Sequence, residues 1–292
     1  MRPAIAMPEL IAEPEIAAWI ALRCTDADAL PAIERAALSG AIDDEFLTST
    51  PWRSFHERAL ALWKDHDHVI IRGAPAAAEG ASLLYLALVL CRRFKAYRGD
   101  KVVKHFRLSP WTTELSHTLQ EGHFHTDINT ASEPPVVTAI QCQIPDPGAP
   151  SYGEVRVARL SDLIQALRSS SDGRALEFLQ ETDVTMVNES SPGGWTGRIV
   201  TENHIRFHPE TLRAAQRRYG NLPADFEDNL RVIKEAALSV STPIQLGAGD
   251  ALLVSNTRAL HYRGTCSVTY HSFPRGFNSR EVYVLHLLDE PV

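Results

Sequence analysis

The spacing of apolar and polar positions changes character along the chain. In the first 64 residues the apolar positions fall near helical spacing, as at Ile16, Ile20 and Leu22, and SFHERALALWK repeats that period more clearly. The pattern then shortens. HVIIRG, from His68 to Gly73, is brief, β-branched and closed by glycine, which predicts a strand. Residues 77–94 return to a helix with a broad apolar face. From about residue 101 onward strand signals dominate, in KVVKHFR, PVVTAIQCQI, GEVRVARL, DVTMVN, GRIVTE, HIRFHP, ALLVSN and EVYVLHLL. Helices are predicted between them at LSDLIQALRS, ETLRAAQRRY and DFEDNLRVIKEAAL. Many short strands separated by Gly, Pro, Asn and Asp turns predict a sandwich or barrel. No repeat or linker divides the chain. Residues 1–292 are therefore expected to form a single domain, with a helical part over 1–64 and a β core with helical insertions over 65–292. SSPGGWTG, from Ser190 to Gly197, is predicted to be a loop whose glycines let it move as a lid.

Composition narrows the partners. With 44% apolar and 22% charged residues the chain has the make-up of a soluble globular protein, and 292 residues suffice for a sizeable core. Cys24, Cys91, Cys142 and Cys266 are scattered and form no CxxC pair, which argues against a structural zinc site and a disulfide framework. Reduced, buried thiols are expected. The formal charge of −7, with no basic run longer than Arg92-Arg93, disfavours nucleic acid as a partner. Glu9, Glu13 and Glu15 interrupt the apolar positions that a signal peptide needs. The longest apolar stretch, Ala81 to Cys91, is too short to span a bilayer. These features predict a cytoplasmic protein that acts on a small molecule, with no membrane partner and with self-association as a homo-oligomer left open.

The candidate chemistry lies in GHFHTDINT, from Gly122 to Thr130. Side chains two apart on an extended segment point the same way, so His125 and Asp127 can bind one metal ion. A third imidazole from a distant strand would complete a two-histidine, one-carboxylate facial triad. The pair alone is a weak signal. Aspartate is roughly one residue in twenty, so the twelve histidines yield about one such motif by chance. GDALLVSNTRALHYRG, from Gly249 to Gly264, supplies the distant imidazole as His261, although a satisfied core histidine would fit that position too. Beyond it stand Arg275 and Arg280, the second opening the last strand; a guanidinium here can pair bidentately with the far carboxylate of a keto acid. His123 forms HFH with His125, a spacing similar to the metal-binding HxH of cupins. Asn129 and Thr130 stand where a cupin places a glutamate, so His123 is read as a pocket residue. His204, Arg206 and His208 alternate along one strand face, either lining the pocket or lying outside it.

Taken together these segments resemble the TauD/TfdA and clavaminate-synthase-like branch of the 2-oxoglutarate-dependent oxygenases. HVIIRGAP resembles that family's early strand, FHTD its metal motif, and LLVSNTRALHYRG the segment that delivers its distal histidine. The likeness runs in the family's order over roughly residues 65 to 288. It implies a mainly β fold with flanking helices, built on a double-stranded β-helix (jelly-roll) core. It also implies iron(II) held by His125, Asp127 and His261, with 2-oxoglutarate as cosubstrate and O2 as oxidant. Arg275 would hold the distal carboxylate of 2-oxoglutarate, and Arg280 the keto-acid end or a substrate anion, with His123 and His204 as further substrate contacts. The implied reaction hydroxylates an unactivated C–H bond of a small carboxylate-bearing molecule, such as an amino acid or natural-product intermediate, with release of succinate and CO2. Two departures stand out. Val155 occupies the point where family members often place a threonine, and the two arginines are five apart rather than four. A cupin-type dioxygenase that uses no keto acid and a non-catalytic jelly-roll binding protein are the alternatives.

Overall fold

A computed structural model describes residues 7–25, 30–42, 44–76, 78–170, 173–189 and 193–291. Strand β1 (Glu9–Ile11) precedes α1 (Pro14–Arg23), α2 (Leu30–Leu38) and α3 (Thr50–His66). Next come β2 (His68–Arg72), α4 (Ala81–Ala87), β3 (Lys104–Arg107), β4 (Val137–Ile144) and β5 (Val155–Arg159). The middle of the chain holds α5 (Leu160–Arg168), α6 (Arg174–Gln180), the hairpins β6 (Asp183–Val187) with β7 (Gly194–Arg198) and β8 (Val200–Thr201) with β9 (His204–Ile205), then α7 (Pro209–Tyr219) and α8 (Phe226–Val240). The last strands are β10 (Ala251–Ser255), β11 (Ala259–Arg263), the hairpin β12 (Val268–Ser272) with β13 (Gly276–Ser279), and β14 (Glu281–Leu287).

Six strands form the larger sheet in the order β1-β2-β10-β4-β14-β3, with β1 parallel to β2 and the other pairs antiparallel. The facing sheet is built on β5 and β11 and widened by bridges at His125–His261 and Val155–Ile244. Between the sheets lie Ile70, Cys142, Val155, Val157, Leu252 and Val254. Outside the larger sheet, α1 to α4 share one core with Val69, Ile71, Ala139, Leu253 and Leu285. Outside the smaller sheet, α5 to α8 pack on Phe124, Ala158, Leu260 and Tyr262. The result is a jelly roll coated by helices on both faces. Among the described residues no helix is long and apolar enough to cross a membrane, and the four cysteines are unpaired.

Local sequence explains much of this. In α3 the Ser49 hydroxyl accepts the Trp52 N–H, Pro51 sits in the first turn, and Trp52, Phe55, Ala59 and Trp63 form the buried stripe. The turn into β10 depends on Gly249, at φ +86°, where a Cβ would lie 1.9 Å from the Ala74 carbonyl oxygen. Its neighbour Asp250 binds the Arg72 guanidinium at 2.7 Å.

Four expectations change. The first 64 residues are not helical throughout: β1 joins the sheet edge through β2, a pairing too short to leave a periodic signature. The helix expected over 77–94 ends at Ala87, and Leu88 to Leu90 continue as buried turns. In HIRFHP only His204 and Ile205 are strand, because Pro209 starts α7. Of the expected lid, Ser190 to Pro192 lie outside the described residues, while Gly194 to Gly197 are paired in a hairpin with β6 rather than forming a free loop.

Candidate metal centre

His125 and His261 come from neighbouring strand segments of the smaller sheet, which exchange backbone hydrogen bonds of 3.0 and 3.1 Å. Their rings stand 4.3 Å apart. Asp127 follows two residues after His125, and one side-chain donor atom from each of the three lies within 4.8 Å of the others. The His125 Nδ1–H donates to the His123 carbonyl at 2.7 Å, which turns Nε2 toward Asp127 Oδ1 at 3.4 Å. His261 Nε2 is 3.7 Å from Asp127 Oδ2, and its buried Nδ1 has no hydrogen-bond partner among the described residues.

Burial and charge set the protonation of these groups. Burial pushes His261 down to about 3, reinforced by the His125 charge, so its imidazole is neutral and has a free lone pair. Burial would raise Asp127, but the imidazoles of His261, His125 and His286 outweigh it and hold the carboxyl well below its usual range. His125 is also opposed by burial, yet the Asp127 hydrogen bond and charge raise it on balance. Two imidazoles and an ionised carboxylate, with one ring nitrogen left unpartnered, fit a divalent metal that prefers mixed nitrogen and oxygen donors.

The carboxylate is held from several directions. The Asp127 N–H donates to Asn256 Oδ1 at 2.6 Å, and Asn256 Nδ2 donates back to the Asp127 carbonyl at 3.0 Å. Thr138 Oγ1 donates to Asp127 Oδ2 at 2.9 Å, and His286 Nε2 donates to the same oxygen at 3.0 Å. Ile128, next along the chain, has φ +52°, a left-handed conformation that a β-branched residue rarely adopts. Such strain costs about 1–3 kcal/mol and survives only where surrounding contacts over-determine it.

The group opens onto a cavity of about 540 Å3. Ile140, Leu252, Val282 and Val284 form an apolar wall; Lys104, His123, His208, Arg263 and Arg280 bring polar atoms. Arg263 donates to the Thr118 and Leu115 carbonyls, which fixes the loop that carries Leu115 and Ser116 over the cavity. Arg280 is 3% exposed, and its neighbours include the thiols of Cys142 and Cys266. Among the described residues no carboxylate stands within ion-pair distance of it. An unpaired buried guanidinium is costly unless an anion joins it.

The other expected site residues divide. Val155, which stands where family members often place a threonine, lines the cavity. His123 lines it too, but its Nε2 pairs with Glu210 at 3.1 Å, outside the metal-binding group, which removes the cupin-like donor set. His204 is exposed at the β8–β9 turn and does not line the cavity; His208 does, with its ring 4.9 Å from that of His125. Arg275 is exposed in the β12–β13 hairpin, away from the cavity. The hairpin separates the two arginines, and Arg280, the one just before β14, is turned inward. Sequence reasoning missed Thr138, Asn256 and His286, although alternation along EVYVLHLL already puts His286 on the face of Arg280.

Residues 36–271 match the family described as taurine catabolism dioxygenase TauD, TfdA family. No curated protein matches the chain. Among solved structures, asparagine oxygenase in complex with Fe(II), 2S,3S-3-hydroxyasparagine and succinate superposes with a TM-score of 0.67 at 14% identity, covering 97% of this chain and 94% of that one. The non-heme iron oxygenase OrfP with Fe, succinate and (3R,4R)-dihydroxy-L-Arg gives 0.65 at 16% identity, over 96% and 94%. OrfP with Fe and alpha-ketoglutaric acid gives 0.61 at 16% identity, over 97% and 94%. At these identities the structural likeness speaks for the fold.

Proposed function

This chain belongs to the taurine catabolism dioxygenase TauD/TfdA family, and from that premise we propose an iron(II)- and 2-oxoglutarate-dependent dioxygenase that hydroxylates a small amino-acid-like substrate. The observation that carries the cosubstrate assignment is Arg280, a buried cation on the cavity wall with no carboxylate partner among the described residues. His125, Asp127 and His261 would hold the iron, and Arg280 the distal carboxylate of 2-oxoglutarate. The role expected of Arg275 thus passes to Arg280. When bound, iron and keto acid together supply the oxidant, with O2 consumed, 2-oxoglutarate converted to succinate and CO2, and one oxygen atom delivered to a C–H bond.

The chain's own residues bind, orient and exclude water. The wall of Ile140, Leu252, Val282 and Val284 keeps water from the reacting C–H bond. His208 Nδ1 accepts the Glu210 N–H at 3.2 Å, so in the neutral ring the proton sits on Nε2. Burial, with the His125 and His123 charges, holds His208 well below its ordinary value, and the ring serves as a neutral donor to a substrate oxygen. Lys104 lines the same cavity and, among the described residues, is the lining lysine or arginine left for a substrate carboxylate once Arg280 is committed and Arg263 is tied to its loop. Amino-acid products in the asparagine oxygenase and OrfP structures support that substrate class.

The test is turnover. Protein loaded with iron(II) is given 2-oxoglutarate, O2 and a panel of L-amino acids, and succinate and hydroxylated product are measured together. At least one amino acid is expected to raise succinate formation with matching product. A panel that produces no 2-oxoglutarate-dependent succinate would sink the proposal.

A further inference from the structure

The strongest observation outside the three candidate ligands is a third buried imidazole, His286, at the same carboxylate. Side chains alternate along β14, which sends Val282, Val284 and His286 into the cavity, in phase with Arg280 just before the strand. His286 lies opposite Thr138 of β4 in the sheet register, so the two side chains are cross-strand neighbours on one face. Both end on one atom: Thr138 Oγ1 is 2.9 Å and His286 Nε2 3.0 Å from Asp127 Oδ2. A carboxylate only accepts, so His286 donates through Nε2–H. Two donors are therefore spent on Oδ2, which also lies 3.7 Å from His261 Nε2, while Oδ1 carries neither donor and stands 3.4 Å from His125 Nε2. His286 itself is 4% exposed and does not belong to the three-residue donor group.

We propose that His286 is a positioning residue that, with Thr138, occupies Asp127 Oδ2 and leaves Oδ1 as the single carboxylate oxygen offered to the metal. The inference rests on the iron assignment above and adds its consequence for this chain. A carboxylate free to turn would present both oxygens and take up a coordination position that the keto acid and O2 need. Here the strand register prevents it. What the site needs from His286 is the N–H donor, not the volume of the ring.

Anaerobic titration of the metal-free protein with iron(II), and with cobalt(II) as a spectroscopic probe of coordination number, tests this without turnover. His286→Phe keeps ring volume and removes the donor; it is expected to weaken iron(II) binding about 10–100-fold, the usual cost of losing such a partner, and to shift the cobalt(II) absorption toward a higher coordination number. His286→Gln restores an N–H and is expected to recover most of the loss. Far-ultraviolet circular dichroism checks that each variant is folded. Thr138→Val removes the other donor to the same oxygen and serves as the second probe should the phenyl variant fail to fold; it is expected to weaken iron(II) binding in the same sense. Parent-like iron(II) affinity in the folded Phe variant, or a Gln variant as weak as the Phe variant, overturns the proposal. His261→Ala separates the two levels. If it binds iron(II) like the parent, the metal assignment fails; if it abolishes binding while the His286 variants are unaffected, only the positioning role fails.

Discussion

On β14, Tyr283, Leu285 and Leu287 turn toward α1 to α4, while Val282, Val284 and His286, with Arg280 just before the strand, turn into the cavity. The same division runs through β4, where Val137 and Ala139 face the helices and Thr138 and Ile140 face the cavity, and through β10 with Ala251 and Leu253 against Leu252. One face of the sheet is dry and closely packed. There a fully buried leucine contributes roughly 1.5–3 kcal/mol, and the neighbouring Trp19, Phe46 and Trp52 rings stack and tilt against each other at 4.9–6.4 Å. The other face carries Arg280, which has no carboxylate at ion-pair distance among the described residues, and His286, and it looks across the cavity to the Asp127 carboxylate and the imidazoles of His125 and His261 from the smaller sheet; burial of such groups is unfavourable without partners. The contrast assigns stability to one side and chemistry to the other, one residue apart on the same strands.

That division can be broken most severely on the cavity side. His261→Ala removes one of three candidate ligands and is expected to abolish stoichiometric iron(II) binding in calorimetry, while the apo thermal transition stays close to that of the parent; loss of the fold along with the metal would erase the distinction between the faces. Arg280→Ala is expected to raise the apparent 2-oxoglutarate constant by an amount equivalent to about 2–5 kcal/mol, the cost of breaking a buried charge pair, as read from succinate formation against cosubstrate concentration. An unchanged constant would put the cosubstrate elsewhere. On the dry side, Ile71→Val trims one methylene from a fully buried residue of β2. A stability loss of roughly 0.5–1.5 kcal/mol is expected in denaturant unfolding, with iron(II) affinity unaltered; a parallel fall in affinity would mean the faces are coupled. The smallest effect belongs to Arg275→Ala. Its side chain is exposed on the hairpin, so the 2-oxoglutarate constant should match the parent's, and a marked rise would return this arginine to the site.

Much of the site could be read before any coordinates. His125 and Asp127 were found from a spacing of two on an extended segment, and His261 from an apolar strand with the family's order of motifs. The structure does bring the three together. Arg275 was expected at the distal carboxylate of 2-oxoglutarate and Arg280 at the keto-acid end or a substrate anion, because nothing local distinguishes the two; the β12–β13 hairpin separates them, and Arg280 is the one that lines the cavity. His204 was favoured over His208 for want of knowing that Pro209 ends the strand and starts a helix. The same local limit hid β1, whose three residues hold their place only by pairing with β2.

By itself the sequence determined a β sandwich or barrel, the position of most strands and the His125–Asp127 pair, because those follow from periodicity, turn chemistry and a short spacing that are local properties of a chain, while the family resemblance carried by its motifs added the jelly-roll class and His261. What only the tertiary structure decided is which distant groups meet. His286 reaches Asp127 across 159 positions, and Asn256 clasps it across 129. Strand register fixes those meetings, and register is set by how two whole sheets bury their faces against each other, an outcome no single segment encodes.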